Sequence, residues 1–147
     1  MIGVKDLRIG NIVFVHTEHL NENYDDSNYI FVEEIFYDGI NRTLGDSTMY
    51  LENQLQPVAL TTALLKVAGF NFQNDAELSG YCSPYFAGMN RIIVYEKDGR
   101  ILYTQNQNLS IEIKSMHQLQ NLFYVLSEGD ELAVDLEDLQ EAIEGEL

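Results

Sequence analysis

Residues 110–126 read SIEIKSMHQLQNLFYVL, and this stretch changes from strand to helix at one residue. Apolar and polar side chains alternate from Ser110 to Lys114, as in a strand with one solvated face. Ser115 then occupies an N-cap position with Gln118 three residues later, which predicts a capping box. An apolar stripe at helical spacing follows, formed by Met116, Leu119, Leu122, Phe123 and Leu126. The stretch therefore predicts a strand followed directly by a packed helix.

A turn signal places two further strands before this one. Asp98-Gly99 separates two apolar runs, Arg91–Glu96 and Ile101–Gln105. Asp-Gly between such runs is a strong signal for a two-residue hairpin. With Ser110–Lys114 as the third strand, the sequence predicts a three-stranded antiparallel segment.

Cap signals also predict a helix earlier in the chain. Thr61 is placed as an N-cap, and Gly69 follows the last helical residue, Ala68. The residues from Asn71 to Gly88 are polar and turn-rich, so we expect them to form a loop.

The first sixty residues are typical of short strands. The runs Ile12–Val15, Tyr29–Tyr37 and Met49–Leu51 are rich in β-branched and aromatic residues. The polar stretch Glu18–Asn28 separates the first two runs, Asp38-Gly39 is a turn signal after the second, and a polar turn at Gly45–Ser47 precedes the third. Several short strands in so few residues predict a small antiparallel barrel of SH3-like type.

The last twenty residues differ in composition from the rest of the chain. From Glu128 onward they hold nine of the 24 acidic residues and no Lys or Arg. Leu136, Leu139 and Ile143 form a narrow apolar stripe with Asp135 as its N-cap, which predicts a short helix. Its acidic C-terminal turn opposes the helix dipole, so we expect this helix to be marginal unless it is docked.

The sequence as a whole predicts an α+β fold. We divide it into a small SH3-like antiparallel β-barrel at 1–58, an α+β segment at 59–127 and an acidic tail helix at 128–147. The α+β segment comprises a helix, an antiparallel three-stranded segment and a packed helix. A chain of 147 residues is long enough for one core or for two small subdomains.

Composition narrows the possible functions. The formal charge of −16 disfavours direct nucleic-acid binding through a basic surface. The first eight residues contain no apolar segment, and no apolar run approaches the roughly 18 residues needed to span a bilayer. We therefore expect a cytoplasmic protein that does not bind membranes.

Five motifs together resemble a family of small uncharacterised proteins encoded by Bacteroidota and by their phages and prophages. The motifs are Leu7–Asn11, Asp38–Asn41, Leu55–Thr61, Gly69-Phe70 and His117–Leu122. The resemblance spans about residues 5 to 127, and HQLQNL at 117–122 is its most specific part. It implies a phage or mobile-element setting and no particular chemistry. The acidic tail is a departure from the family pattern.

Candidate metal and nucleophile sites are weak. His16 and His19 lie three residues apart, and on a strand this spacing directs them to opposite faces, whereas a metal needs three or four converging ligands. Cys82 is the only cysteine and cannot form an internal disulfide. Nothing in the sequence places it near His117 as a nucleophile and base, and a buried structural thiol is the favoured interpretation. We predict no metal and no cofactor.

No catalytic constellation is evident either. Asp25-Asp26 and Glu33-Glu34 are adjacent carboxylates, which do not face each other across a substrate as a glycosidase pair must. Phosphate loops and nucleophile elbows are missing from the sequence. We therefore favour a non-enzymatic protein.

Candidate partner-binding residues lie in three places: the polar side of the last packed helix, an aromatic loop and the acidic tail. The polar side of that helix could instead contact the N-terminal barrel within the molecule, and we favour that alternative. The candidates are His117, Asn121, Tyr124, Tyr81, Tyr85, Phe86, Asp135, Glu137, Asp138, Glu141 and Glu144.

Three functions remain open. The first is a phage-type binding protein that inhibits a host nucleic-acid-handling protein, such as a CRISPR nuclease, through its acidic surface and loops. Its partner would be a basic nucleic-acid-binding host protein. The second is a structural or virion-associated assembly protein. The third is a small-ligand-binding or hydrolytic domain with a site between the barrel and the second segment.

Overall fold

The computed structural model describes residues 2–20, 27–41, 49–74, 79–86, 88, 90–106 and 109–145. The chain divides into two compact units, which we call the first unit (Met1–Val58) and the second unit (Ala59–Leu147). The predicted turn at Gly45–Ser47, the adjacent pair Asp25-Asp26 and most of the predicted Glu18–Asn28 loop lie outside the described residues.

The first unit contains two three-stranded antiparallel sheets, with strand orders β2-β1-β6 and β3-β4-β5. The strands are β1 Ile12–Val15, β2 Tyr29–Phe31, β3 Glu34–Ile35, β4 Gly39–Asn41, β5 Met49–Leu51 and β6 Leu55–Gln56. Single turns of 3-10 helix occur at Val4–Asp6, Thr17–His19 and Glu52–Gln54.

Both sheets of the first unit contribute to one hydrophobic core. Val13 and Val15 from one sheet and Ile40 and Tyr50 from the other belong to the same buried cluster. Gly39 is required where the second sheet is tightest, because a Cβ there would overlap the carbonyl oxygen of Tyr50. The described residues form antiparallel sheets and no closed barrel, so the SH3-like barrel stays a prediction.

The predicted single strand from Tyr29 to Tyr37 is wrong. It is two strands, because β2 pairs with β1 whereas β3 pairs with β4, and Val32 between them bonds to the residues just before β1. The Val32 N–H donates to Asn11 O at 2.8 Å, and Val32 O accepts from Gly10 N–H at 2.8 Å. Gly39, expected only in a turn, begins β4, which is the middle strand of its sheet.

The second unit is built on a five-stranded antiparallel sheet with the order β11-β10-β9-β8-β7. Its strands are β7 Asn71–Asn74, β8 Ser79–Cys82, β9 Ile93–Lys97, β10 Arg100–Asn106 and β11 Leu109–Glu112. The Asp98-Gly99 hairpin is confirmed, since Lys97 pairs with Arg100 across it. Both turn residues have positive φ, 54° and 77°, as a type I′ turn requires.

The prediction of a loop at 71–88 is wrong, because β7 and β8 lie within it and extend the sheet from three strands to five. These strands carry Asn, Gln, Ser and Gly, which are weak strand formers, and backbone pairing of β7 with β8 and of β8 with β9 determines their conformation. Phe72 and Tyr81 lie opposite each other, with ring centroids 5.1 Å apart. The absence of a side chain at Gly80 leaves room for the ring of Tyr95, since a Cβ at Gly80 would lie 3.1 Å from Tyr95 Cδ1.

Three helices complete the second unit: α1 Thr62–Val67, α2 Met116–Leu126 and α3 Leu136–Gly145. Each begins after the cap residue that the sequence predicts. Thr61 Oγ1 accepts from Leu64 N–H at 3.3 Å, and Ser115 Oγ accepts from Gln118 N–H at 3.4 Å. Among the described helices none is both long enough and apolar enough to span a membrane.

Candidate functional site

The described residues of the aromatic segment after β8 pair with each other as in a hairpin. Ser83 N–H donates to Ile92 O, and Ile92 N–H donates to Ser83 Oγ, both at 2.8 Å. Nearer the tip, Phe86 and Asn90 exchange backbone hydrogen bonds of 2.8 and 3.1 Å. The β8–β9 pairing therefore continues outward, and we call residues 83–86 and 90–92 the aromatic hairpin.

The predicted aromatic candidates have three different environments. Tyr81 lies within β8 and is half-buried. Phe86 packs edge-on against Phe123 of α2, with ring centroids 5.4 Å apart. Only Tyr85 is largely exposed, at 58%. Of the three, Tyr85 is the residue that a partner could contact without rearrangement.

Arg91 is a component of this region that the sequence analysis did not single out. Its Nη1 donates to the Tyr85 hydroxyl oxygen at 3.2 Å, and its guanidinium carbon lies 5.4 Å from the centre of the Tyr85 ring. A signal existed, because Arg91 is the only Lys or Arg between Lys66 and Lys97 and follows an aromatic segment. Beside Arg91 opens a pocket of about 420 Å³, whose walls also include Phe86, Tyr95, Tyr103, Thr104 and Leu126.

The polar side of α2 is not a free surface. His117 is 5% exposed and Gln120 is 1% exposed. His117 Nδ1 lies 3.0 Å from Ser115 Oγ, the oxygen that caps the helix. Asn121 and Tyr124 are half-buried, and each makes polar or ring interactions. His117 is thus unavailable to a partner in this conformation.

The acidic tail is a docked helix. Asp135 caps α3, and its Oδ1 accepts from Glu137 N–H at 2.9 Å and Asp138 N–H at 3.0 Å. Leu139 is fully buried, and α3 packs against α1. The predicted acidic candidates are all exposed: Asp135, Glu137, Asp138, Glu141 and Glu144.

Charge on the outer face of α3 is uniform in sign. The last twenty residues contain no Lys or Arg. Glu144 has a neutral side-chain partner, since Gln140 Nε2 donates to Glu144 Oε1 at 3.1 Å. The helix therefore presents a row of carboxylates with no cation from its own segment to neutralise them.

The histidines of the first unit have polar neighbours. His16 Nε2 lies 2.9 Å from Gln56 Nε2, and His19 Nδ1 lies 3.4 Å from Gln54 Nε2. Within the described parts of the chain, no group of three or more His, Cys, Asp or Glu side chains is arranged to hold a metal ion. Cys82 is a buried free thiol.

The first unit exposes apolar side chains that the sequence analysis also missed. Tyr37, at the turn between β3 and β4, is 98% exposed. Met49 and Leu51 alternate along β5, and each is 40% exposed, as is typical of one sheet face turned outward. Alternation of apolar residues with buried Tyr50 was a signal that could have identified this face.

No known protein family, curated protein or solved structure matches the chain. The resemblance to proteins of Bacteroidota and their phages therefore stays a prediction.

Proposed function

We propose that the protein is a non-enzymatic inhibitor that occupies the nucleic-acid site of a basic host protein. The observation that carries this proposal is the docked α3 helix, which buries Leu139 and turns its carboxylates outward. A docked helix holds these charges at fixed spacing, so less conformational entropy is lost on binding than with a disordered acidic tail.

The spacing of the carboxylates along α3 is similar to the spacing of phosphates along a nucleic-acid strand. A helix rises about 1.5 Å per residue, so Glu137, Asp138, Glu141 and Glu144 extend over about 10 Å of axis. That corresponds to one negative charge per about 3.5 Å, and one strand of B-DNA carries a phosphate per about 3.4 Å. Lysines and arginines arranged for a phosphate backbone would find carboxylates at a similar density.

The setting of the proposal comes from the resemblance to phage and prophage proteins. A phage protein of this charge would act on a host defence protein that binds nucleic acid, such as a CRISPR nuclease. Exposed Tyr85 would supply an aromatic contact in addition to the charged ones, because tyrosine contributes large contact area at low entropic cost. For the first unit we retain the SH3-like barrel as part of the proposal, supported by the single core that its two sheets share.

Charge substitution in full-length protein tests the proposal better than removal of the tail. Deleting residues 128–147 would remove buried Leu132 and Leu139 and so disturb the second unit itself. The triple variant E137Q/E141Q/E144Q keeps side-chain size and removes three charges. Its matched control, E18Q/E33Q/E96Q, removes three exposed charges that lie outside residues 128–147.

The experiment is capture of host proteins from a Bacteroidota lysate on immobilised full-length protein. We expect a basic nucleic-acid-binding protein to be retained, to be released by added duplex DNA and to associate more slowly as salt rises. The α3 triple variant should lose most of this association rate, and the control should retain it. Equal rates for the two triple variants, or a captured protein that DNA does not displace, would contradict the proposal.

A further inference from the structure

The pocket beside the aromatic hairpin has an unusual charge for this protein. The chain carries 24 acidic and 8 basic residues, yet the described residues that line the pocket include no Asp or Glu. Arg91 is the one cation among them, and most of the other lining residues are aromatic or aliphatic, although the surface exposed in the pocket is more polar than apolar. A volume of about 420 Å³ lies within the usual range for small-molecule sites.

Arg91 is held in place by its neighbours along the chain. Asn90 is paired with Phe86, and Ile92 is paired with Ser83, so the backbone on both sides of Arg91 is fixed. The guanidinium rests against Tyr85, and no carboxylate of the described residues forms an ion pair with it. A guanidinium has five N–H donors, and Tyr85 accepts one of them. Donors therefore remain for a ligand.

The C-terminal end of α2 repels an anion in this pocket less strongly than a helix C-terminus with unpaired carbonyl groups would. Leu126 brings that end to the pocket wall. Three of the last carbonyls already accept hydrogen bonds: Phe123 O from Ser127 N–H, Tyr124 O from Gly129 N–H and Val125 O from Glu128 N–H. Satisfied carbonyls contribute less local negative potential than free ones.

We propose that this pocket binds a small monocarboxylate with a flat apolar body. Arg91 would bind the carboxylate, for which its planar guanidinium is well shaped, while Phe86, Tyr95 and Tyr103 would contact the apolar body. A single negative charge is favoured over a phosphate, because the net charge of −16 repels a dianion more strongly. This site is separate from α3, so the proposed ligand binding does not depend on the proposed inhibitory function.

Three matched probes test the ligand class: phenylacetate, its neutral isostere phenylacetamide, and the dianion benzylphosphonate. Binding is followed by two-dimensional NMR of the full chain, through shifts of the amides in residues 90–95 and 103–104. We expect phenylacetate to bind about tenfold more tightly than phenylacetamide, the effect of one charge-assisted contact. Benzylphosphonate should bind more weakly than phenylacetate at low salt.

Two variants test the role of Arg91. Arg91→Gln should abolish the preference for phenylacetate, and Arg91→Lys, which keeps the charge, should restore part of it. The control is Arg100→Gln, since Arg100 lies outside the pocket and its Nε is 3.9 Å from Glu112 Oε2. Equal binding of phenylacetate and phenylacetamide, an unchanged preference in Arg91→Gln, or no shifts at these amides would overturn the proposal.

A carboxylate could also come from the end of a polypeptide. Acetyl-glycyl-phenylalanine and its C-terminal amide form a second pair of probes with the same chemistry. If phenylacetate binds and the dipeptide does not, the ligand is a free small molecule. If both bind in preference to their amides, the pocket also admits a chain end, and the monocarboxylate assignment holds for either source.

Discussion

Helices α2 and α3 begin in the same way and serve different purposes. Each follows a side-chain cap, Ser115 or Asp135, and each carries an apolar stripe. On α2 even polar side chains outside the stripe, His117 and Gln120, are buried. On α3 the side chains outside the stripe are carboxylates and remain in solvent. Local signals thus determine where a helix starts, and the character of its second face determines whether it becomes core or surface.

The largest expected effects come from removing one fully buried leucine from each helix. Leu119→Ala and Leu139→Ala each delete a side chain that is at most 1% exposed, and such changes cost about 2–5 kcal/mol. We expect Leu119→Ala near the top of this range, because α2 is buried on more than one side. Leu139→Ala should lie near the bottom, because α3 can detach while the sheet remains.

Urea unfolding measures both losses, and hydrogen exchange distinguishes them. Leu139→Ala should increase exchange mainly in α3 and in the α1 face beneath it. Leu119→Ala should increase exchange throughout the second unit. Equal and global changes in both variants would show that α3 is as central to the core as α2, and the contrast between the helices would fail.

A smaller loss is expected at Leu122, which belongs to the predicted stripe but is only half-buried. Its sequence position predicts the same cost as Leu119. Because part of its side chain is already exposed to water, we expect Leu122→Ala to cost less, about 1–2 kcal/mol. The measurement is the urea midpoint at unchanged slope. A loss equal to that of Leu119→Ala would show that the stripe is buried along its whole length.

The two caps should differ in their response to salt. Ser115→Ala should cost about 1–2 kcal/mol, because it removes the cap and a buried contact to His117 Nδ1. Asp135→Ala should cost about 1 kcal/mol, and part of that cost should vanish at high salt, because its charge interacts with the helix dipole. Asp135→Asn, which keeps the accepting oxygen, is the control. Identical salt dependence of the two Ala variants would argue against this difference.

Elements with local signals were predictable from the sequence. The caps at Thr61, Ser115 and Asp135 and the Asp98-Gly99 turn each satisfy backbone groups within a few residues, so their chemistry is visible in a short window. The α+β class follows from them. The acidic candidates on α3 were predictable for the same reason, since spacing alone separates Leu139 from the exposed carboxylates.

Elements held by distant contacts were not predictable. Strand β7 exists because β8 pairs with it, and neither carries a periodic pattern of its own. Burial of His117 and Gln120 depends on what covers α2, which spacing along the helix does not encode. The pocket at Arg91 requires the hairpin to bring residues 86 and 91 beside β10. These features depend on tertiary structure, which overrides local preference.

The smallest expected effect lies at the residue that links α2 to the segment leading into α3. Glu128 has φ of 61°, a left-handed conformation that glycine adopts without cost and that disfavours a residue with a Cβ. It stands where α2 ends, flanked by Ser127 N–H donating to Phe123 O and Gly129 N–H donating to Tyr124 O. Helices commonly place glycine at this position.

Glu128→Gly should therefore stabilise the protein by about 0.5–1 kcal/mol, because relief of the left-handed strain exceeds the added entropy of the unfolded chain. Glu128→Gln removes the charge and keeps the Cβ, so it separates strain from electrostatics. If Glu128→Gln raises the thermal midpoint as much as Glu128→Gly does, repulsion within the acidic segment and not backbone strain limits the stability of this junction.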